Sequence, residues 1–185
     1  MTFVGELLDW DSGATGFLGI FGATMTVRSS PADSGASNPN GRFPEALACI
    51  PASDGFVDVM PTTASAYVGG TIVVNRAVLA AQPVQSYRSF TMTRAADFGF
   101  DAAKAHVYVH VHGDARTVTT AASPMTMKHL DAASAWVDGN TGNDIYLGNI
   151  DGSSTTLTIT GGGATAPSSI PLTAGAFTWV EILAK

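Results

Sequence analysis

An all-β fold, an antiparallel β-sandwich with at most one short helix, is predicted by three observations on this sequence. Gly, Pro, Asn and Asp punctuate the chain about every 8–15 residues, with short β-branched or aromatic runs between them. Two of those runs alternate strictly between apolar and polar residues, the signature of half-buried strands. Helical patterning is scarce. At 185 residues the chain suits one domain or two small ones.

The strands expected are Phe21–Arg28, Phe56–Met60, Thr71–Asn75, Ser86–Thr93, Ala105–His112, Thr155–Thr160 and Phe177–Leu183. In the fifth, Ala105, Val107, Val109 and Val111 face one side while His106, Tyr108, His110 and His112 face the other. In the sixth, Leu157 and Ile159 oppose Thr156, Thr158 and Thr160. The best helix candidate is Pro124–Val137, with Ser123 to cap it and Pro124 at the first helical position. Asn75–Ala81 is a weaker one-turn helix ended by Pro83. Ser29–Asn40, Asp138–Asn143 and Gly161–Ser169 read as loops on their Gly, Pro and Asn content. A change of texture near residue 95 suggests a division into 1–95 and 96–185. The second part is then either its own small sandwich or part of the same domain.

Composition narrows the function. Nine Lys plus Arg against fifteen Asp plus Glu leave a net charge of −6, without the basic clusters that nucleic acid requires. No apolar run approaches the roughly 18 residues of a membrane helix. The single cysteine, Cys49, lies in an apolar run and is expected to be a small buried hydrophobe. The N-terminus has no basic region or signal-peptide core. The Thr-, Ser-, Gly- and Ala-rich, lysine-poor composition nevertheless suits an extracellular or periplasmic protein whose export signal lies outside this chain.

Leu18-Gly19-Ile20-Phe21-Gly22-Ala23-Thr24-Met25-Thr26-Val27, Asn38-Pro39-Asn40-Gly41-Arg42-Phe43, and Ile50-Pro51 followed by Asp54-Gly55-Phe56-Val57-Asp58-Val59 form a recognisable series. Together they resemble the strand, hairpin and closing strand of carboxypeptidase regulatory-like domains, over roughly residues 4–60. Asn40-Gly41 would supply the positive φ angles of the hairpin, with Phe43 and Phe56 sealing the core. The resemblance implies a transthyretin-like β-sandwich in an exported protein; the strand pattern itself suits a transthyretin- or immunoglobulin-like Greek key, as one unit or as two packed sub-sandwiches. It also implies an accessory module without catalytic residues.

The sharpest chemical signal is His110-Val111-His112. On a strand, i and i+2 place two imidazoles roughly 7 Å apart at Cα, within reach of one zinc or copper ion. His106 is about 13 Å from His110 along the strand, too far to share the ion with both. A third ligand would come from Asp114, Asp101 or His129, and Met125 and Met127 would suit copper because thioethers are soft donors. The alternative is a strand whose polar face simply carries these side chains, with no cofactor. Asp138–Asp144 has oxygens at alternating spacing that could hold calcium, but Asp, Asn and Gly favour turns for backbone reasons alone. There is no G-x-S-x-G elbow, Walker A loop or dinucleotide fingerprint. Glu6, Glu45 and Glu181 are the only glutamates, and none pairs obviously with another carboxylate. Trp10, Tyr67, Tyr146 and Trp179 could stack on sugar rings if exposed.

The expected role is therefore a non-catalytic β-sandwich module of an exported bacterial protein, structural, adhesive or binding, with a protein or carbohydrate partner. A metal-binding protein using His110 and His112 is the first alternative. The second is a self-assembling surface or filament subunit, a homo-oligomer joined through edge strands such as Thr178–Leu183.

Overall fold

The computed structural model describes residues 3–11, 18–44, 47, 55–62, 66–81, 84–164, 167 and 169–184. Cys49 lies outside these residues. In chain order the elements are β1 (Val4–Asp9), β2 (Thr24–Val27), β3 (Ser30–Ala36), β4 (Gly55–Met60) and β5 (Gly70–Val74). Helix α1 (Arg76–Ala81), β6 (Val84–Ser89) and helix α2 (Met92–Ala95) follow, with a 3-10 turn at Ala96–Phe98. Next come β7 (Ala105–His112), β8 (Arg116–Thr120), β9 (Thr126–Leu130), β10 (Trp136–Asp138), β11 (Thr141–Gly142) and β12 (Asp144–Ile150). The chain closes with β13 (Ser154–Thr155), β14 (Leu157–Thr160), β15 (Ile170–Pro171) and β16 (Phe177–Leu183).

The fold is an all-β sandwich built on a nine-stranded sheet of order β10-β9-β12-β7-β16-β5-β4-β2-β3. Pairing is mostly antiparallel, but β16 runs parallel to both β5 and β7, and β1 runs parallel to β6 in a separate two-stranded ribbon. A three-stranded sheet, β11-β8-β14, and the short β13-β15 pair complete the strands. Among the described residues no helix is long and apolar enough to cross a membrane.

Alternation along β7 separates two cores. Val107, Val109 and Val111 join Val73, Ile145, Leu147, Val180 and Ile182 on one face, which is closed by Val118, Leu157, Ile170 and Leu172 from the smaller sheets. Tyr108 lies on the other face with Met25, Val57, Ile72, Tyr146, Phe177 and Trp179, covered by Leu7 and Tyr87 of the ribbon and by Ala95 and Phe98. The sidedness of β7 is as the alternation predicts. Its histidine face is covered as well, because the β1–β6 ribbon lies over it.

Several local expectations give way to long-range pairing. Pro124–Val137 is a strand hairpin and not a helix: β9 pairs with β12 on one side and β10 on the other, and Lys128 reaches Asp138 at 2.8 Å. Ser134 turns the chain at a φ of 60°. The Met, Leu and Ala content that favours helix is outweighed by two ladders of sheet hydrogen bonds. Ser29–Asn40, read as a loop, contains β3, an outer strand paired to β2. Ser86–Thr93 ends as a strand at Ser89, after which Thr91 caps α2 by accepting from the Arg94 N–H. With α1, whose Ala77 N–H is held by the Asn75 side chain, that makes two short helices among the described residues where at most one was expected. Thr178–Leu183, taken as an edge strand, is the centre of the large sheet, flanked by β7 and β5.

Two glycines are dictated by close approach. At the 38–42 turn only Gly41 takes a positive φ, 75°, and a Cβ there would lie 2.2 Å from the Leu7 carbonyl oxygen. At Gly70 a Cβ would meet the Phe177 carbonyl oxygen at 2.0 Å, in the ladder between β5 and β16. Gly70→Ala must therefore force those strands apart, and about 1–3 kcal/mol of destabilisation or more is expected from overpacking. Equilibrium urea unfolding of the two proteins measures it, and an unchanged midpoint would show that the ladder tolerates a methyl group.

Candidate functional site

The candidate site is a polar cluster on the ribbon-covered face of the large sheet. Cross-strand register builds it: His110 of β7 lies between Asp144 of β12 and Glu181 of β16, so all three side chains share one face. His110 Nδ1 is 2.8 Å from Asp144 Oδ1, and the Tyr108 hydroxyl donates to that same oxygen. His112 Nε2 is 2.6 Å from Glu181 Oε2. Glu181 is 1% exposed, and its other oxygen accepts from the Ser86 N–H at 3.2 Å. Ser86 Oγ in turn donates to Glu6 at 3.0 Å. The two imidazoles meet edge to face, with centroids 4.6 Å apart.

Electrostatics follow from this packing. Burial works to lower the His110 pKa, but the hydrogen bond and charge of Asp144, helped by Glu181, outweigh it and the net shift is upward. Burial raises the Asp144 carboxyl, while His110 and Tyr108 together bring it below its ordinary value. Burial, reinforced by the Asp144 charge, drives the Tyr108 hydroxyl well above its usual pKa, so it serves as a donor.

His106, on the same face, belongs to a different environment. It is fully buried, stacks on Phe100 at 3.9 Å, and has Nδ1 2.9 Å from the Tyr146 hydroxyl and Nε2 3.1 Å from the Asp101 carbonyl. A carbonyl only accepts, so the ring is the neutral Nε2–H tautomer; burial lowers its pKa accordingly. Asn149, at a φ of 58° where β12 is bulged, fixes the neighbouring loop through the Asp101 N–H and the Gly99 carbonyl.

The four predicted ligands do not converge. His110 and His112 touch, but each is engaged by a carboxylate. His129 is paired with Ile145, the neighbour of Asp144 on β12, and therefore projects from the opposite face of the sheet. Asp114 is largely exposed in the turn after β7, 3.8 Å from Arg116. Asp101 meets His106 through its main chain and not its carboxylate. Among the described residues no group of three or more His, Cys, Asp or Glu side chains is arranged to hold a metal ion.

The acidic turn is also dispersed. Asp138 pairs with Lys128, Asp144 faces His110, and the Asn140 and Asn143 side chains donate to main-chain carbonyls. Trp10, Tyr146 and Trp179, considered for sugar stacking, are at most 2% exposed. Trp10 stacks on Trp136 at 4.2 Å, and Trp179 donates to the Arg88 carbonyl at 2.7 Å. The partners that sequence reasoning missed are Asp144, Glu181, Glu6 and Ser86. They lie 34 to 95 residues from the groups they bind, and no local spacing marks them.

Two measurements probe the cluster. His112→Ala leaves the buried Glu181 without its imidazole, and a loss of about 3–5 kcal/mol is expected, as for other broken buried pairs. An effect under 1 kcal/mol in urea unfolding would mean that Ser86 and solvent suffice for Glu181. The raised His110 pKa makes the His110–Asp144 contribution fully present below the ordinary histidine value of about 6.5 and lost as pH rises through the higher folded value. The lowered Asp144 pKa removes it again only in acid, as pH falls through the folded value. The stability gap between wild type and His110→Ala should therefore be wide near pH 5.5 and narrow toward pH 8.5. A gap that widens with pH contradicts this assignment.

No family model matches the chain, and no curated protein matches it. Among solved structures it is similar to a variant of the shaft pilin SpaA from Lactobacillus rhamnosus GG, with 12% identity over 100% of this chain and 98% of that one, at a TM-score of 0.31. It is also similar to the Bacillus anthracis TIE protein, with 8% identity over 98% of this chain and 33% of that one, at a TM-score of 0.28. Likeness at this level assigns the chain to no family.

Proposed function

We propose that this chain is a non-catalytic β-sandwich module of an exported bacterial protein, working as a self-assembling surface or filament subunit. Copies would join by strand addition at β14. The observation that carries this reading is the contrast between sheet edges. β3 holds Pro31 and Asp33, and β10 is three residues long with Asp138 tied to Lys128, which are ordinary ways of blunting an edge. β14, Leu-Thr-Ile-Thr, is the last strand of its sheet, bonded to β8 on one side, and carries neither proline nor charge. An added strand would gain main-chain hydrogen bonds there. Its side chains would meet an exposed threonine face of the kind that already pairs Thr117 with Thr141 across strands at 2.7 Å.

Two further points support a non-catalytic role. Each histidine is tied to a carboxylate by a direct hydrogen bond, His110 to Asp144 and His112 to Glu181, and the Ser86 hydroxyl donates to Glu6 and not to an imidazole. The likeness of residues 4–60 to carboxypeptidase regulatory-like domains agrees with an accessory module.

Light scattering coupled to size exclusion tests the assembly. The mass should rise above 19.0 kDa with concentration, and Thr158→Lys, which sets a charge in the middle of the edge, should hold the protein monomeric. A monomer at every concentration, or assembly unaffected by Thr158→Lys, overturns assembly through β14.

A further inference from the structure

We propose that His106 is an acid-sensitive latch: the neutral ring holds the segment 99–104 against the large sheet, and a proton taken up at Nδ1 releases that segment. The segment runs from the 3-10 turn at Ala96–Phe98 to the start of β7. Its first half is hydrogen-bonded to the sheet by two side chains. The His106 Nε2–H donates to the Asp101 carbonyl at 3.1 Å, and the ring stacks on Phe100 at 3.9 Å. Asn149 of β12 accepts from the Asp101 N–H at 2.9 Å and donates to the Gly99 carbonyl at 2.7 Å. The two residues are joined in turn, because the Asn149 N–H donates to His106 Nδ1 at 3.4 Å.

The closed arrangement suits the neutral ring alone. A main-chain amide can only donate, so a proton on Nδ1 would set N–H against N–H and leave the Asn149 amide without its acceptor. The ring is 0% exposed, so water cannot solvate an imidazolium in place. The titratable and charged groups around it are the Asp101 carboxylate, the Lys104 ammonium (paired with Asp151) and the Tyr146 hydroxyl, 2.9 Å from Nδ1. β16 presents only the Phe177 ring and β9 the Thr126 hydroxyl. Burial lowers the His106 pKa by more than the Asp101 and Lys104 main chain and the Asp101 charge raise it. Once the segment leaves, the ring reaches water and titrates as an ordinary histidine. Above a pH of about 6.5 both forms are neutral and pH has no effect; below it the open form gains up to about tenfold per pH unit. Release bares the Phe100 and Tyr146 rings, an apolar surface offered only in acid. At the other end of β7 the His110–Asp144 pair is at full strength in the same range, so acid loosens one end of the strand and not the other.

The test is amide hydrogen exchange of the full chain, followed by NMR from about pH 7.5 to about pH 5 and corrected for the intrinsic exchange rate. Protection of the Asp101 and Asn149 amides should fall by up to about tenfold per pH unit below about pH 6.5, while the Val109 and Val180 amides of the central ladder keep theirs. Nitrogen-15 shifts of the His106 ring in the closed form should report a neutral imidazole with its proton on Nε2. His106→Gln, which has no proton to take up in this range, should lose the pH dependence whatever its starting protection. If that variant does not fold, the two wild-type measurements decide. An imidazolium formed with Asp101 protection unchanged, a parallel fall at Asp101 and Val180, or a pH dependence retained in His106→Gln overturns the proposal.

Discussion

The parallel pairing of β16 with both β5 and β7 is the constraint on which the rest of the structure depends. The last strand of the chain enters the middle of the large sheet, and its residues are buried on both faces from Phe177 to Ile182. Gly70 lets β5 come close enough to pair, and Trp179 reaches across to the Arg88 carbonyl on the overlying ribbon. Removing β16 would part β5 from β7 and open both cores at once. Its contacts are almost all non-local, so loop-closure entropy must be met before they form, which favours slow, late docking of this strand.

That strand also carries Glu181 into the interior, where a charge is tolerated only with partners. His112 and the Ser86 main chain provide them, and His110 with Asp144 forms the adjoining pair. Buried ion pairs add little net stability because desolvation opposes their attraction. Their stronger effect here is on register. A slip of β16 by one residue would turn Glu181 toward Val73 and Val109, where nothing can pair with it, and would present an apolar neighbour to His112. The cluster thus acts as a lock on the alignment that β16 imposes.

The same sheet has unequal surroundings on its two sides and at its several edges. The ribbon-covered side holds histidines engaged by carboxylates, tyrosine or main chain; the other side holds His129 and the partly exposed Met127. Edge strands β3 and β10 are guarded by proline, acid or brevity, and β14 is not. The most conspicuous residues of the sequence are thus occupied in holding the sandwich together.

What the sequence determined by itself is local and periodic. Alternation in Ala105–His112 assigned each side chain to its face, the boundaries of that strand and of Phe177–Leu183 were readable, and the all-β class followed from turn residues at short intervals. Period-two patterning is a property of consecutive residues, so it survives without knowledge of the partner strand. Tertiary structure alone decided which strand is central, whether 124–137 becomes helix or hairpin, and which side chains meet. Glu181 reaches His112 across 69 positions and Asp144 reaches His110 across 34, through pairings that no local pattern encodes. For the same reason His129, close to the other histidines in the sequence, stands on the opposite face: hydrogen-bond register between distant strands, and not proximity along the chain, decides which groups share a site.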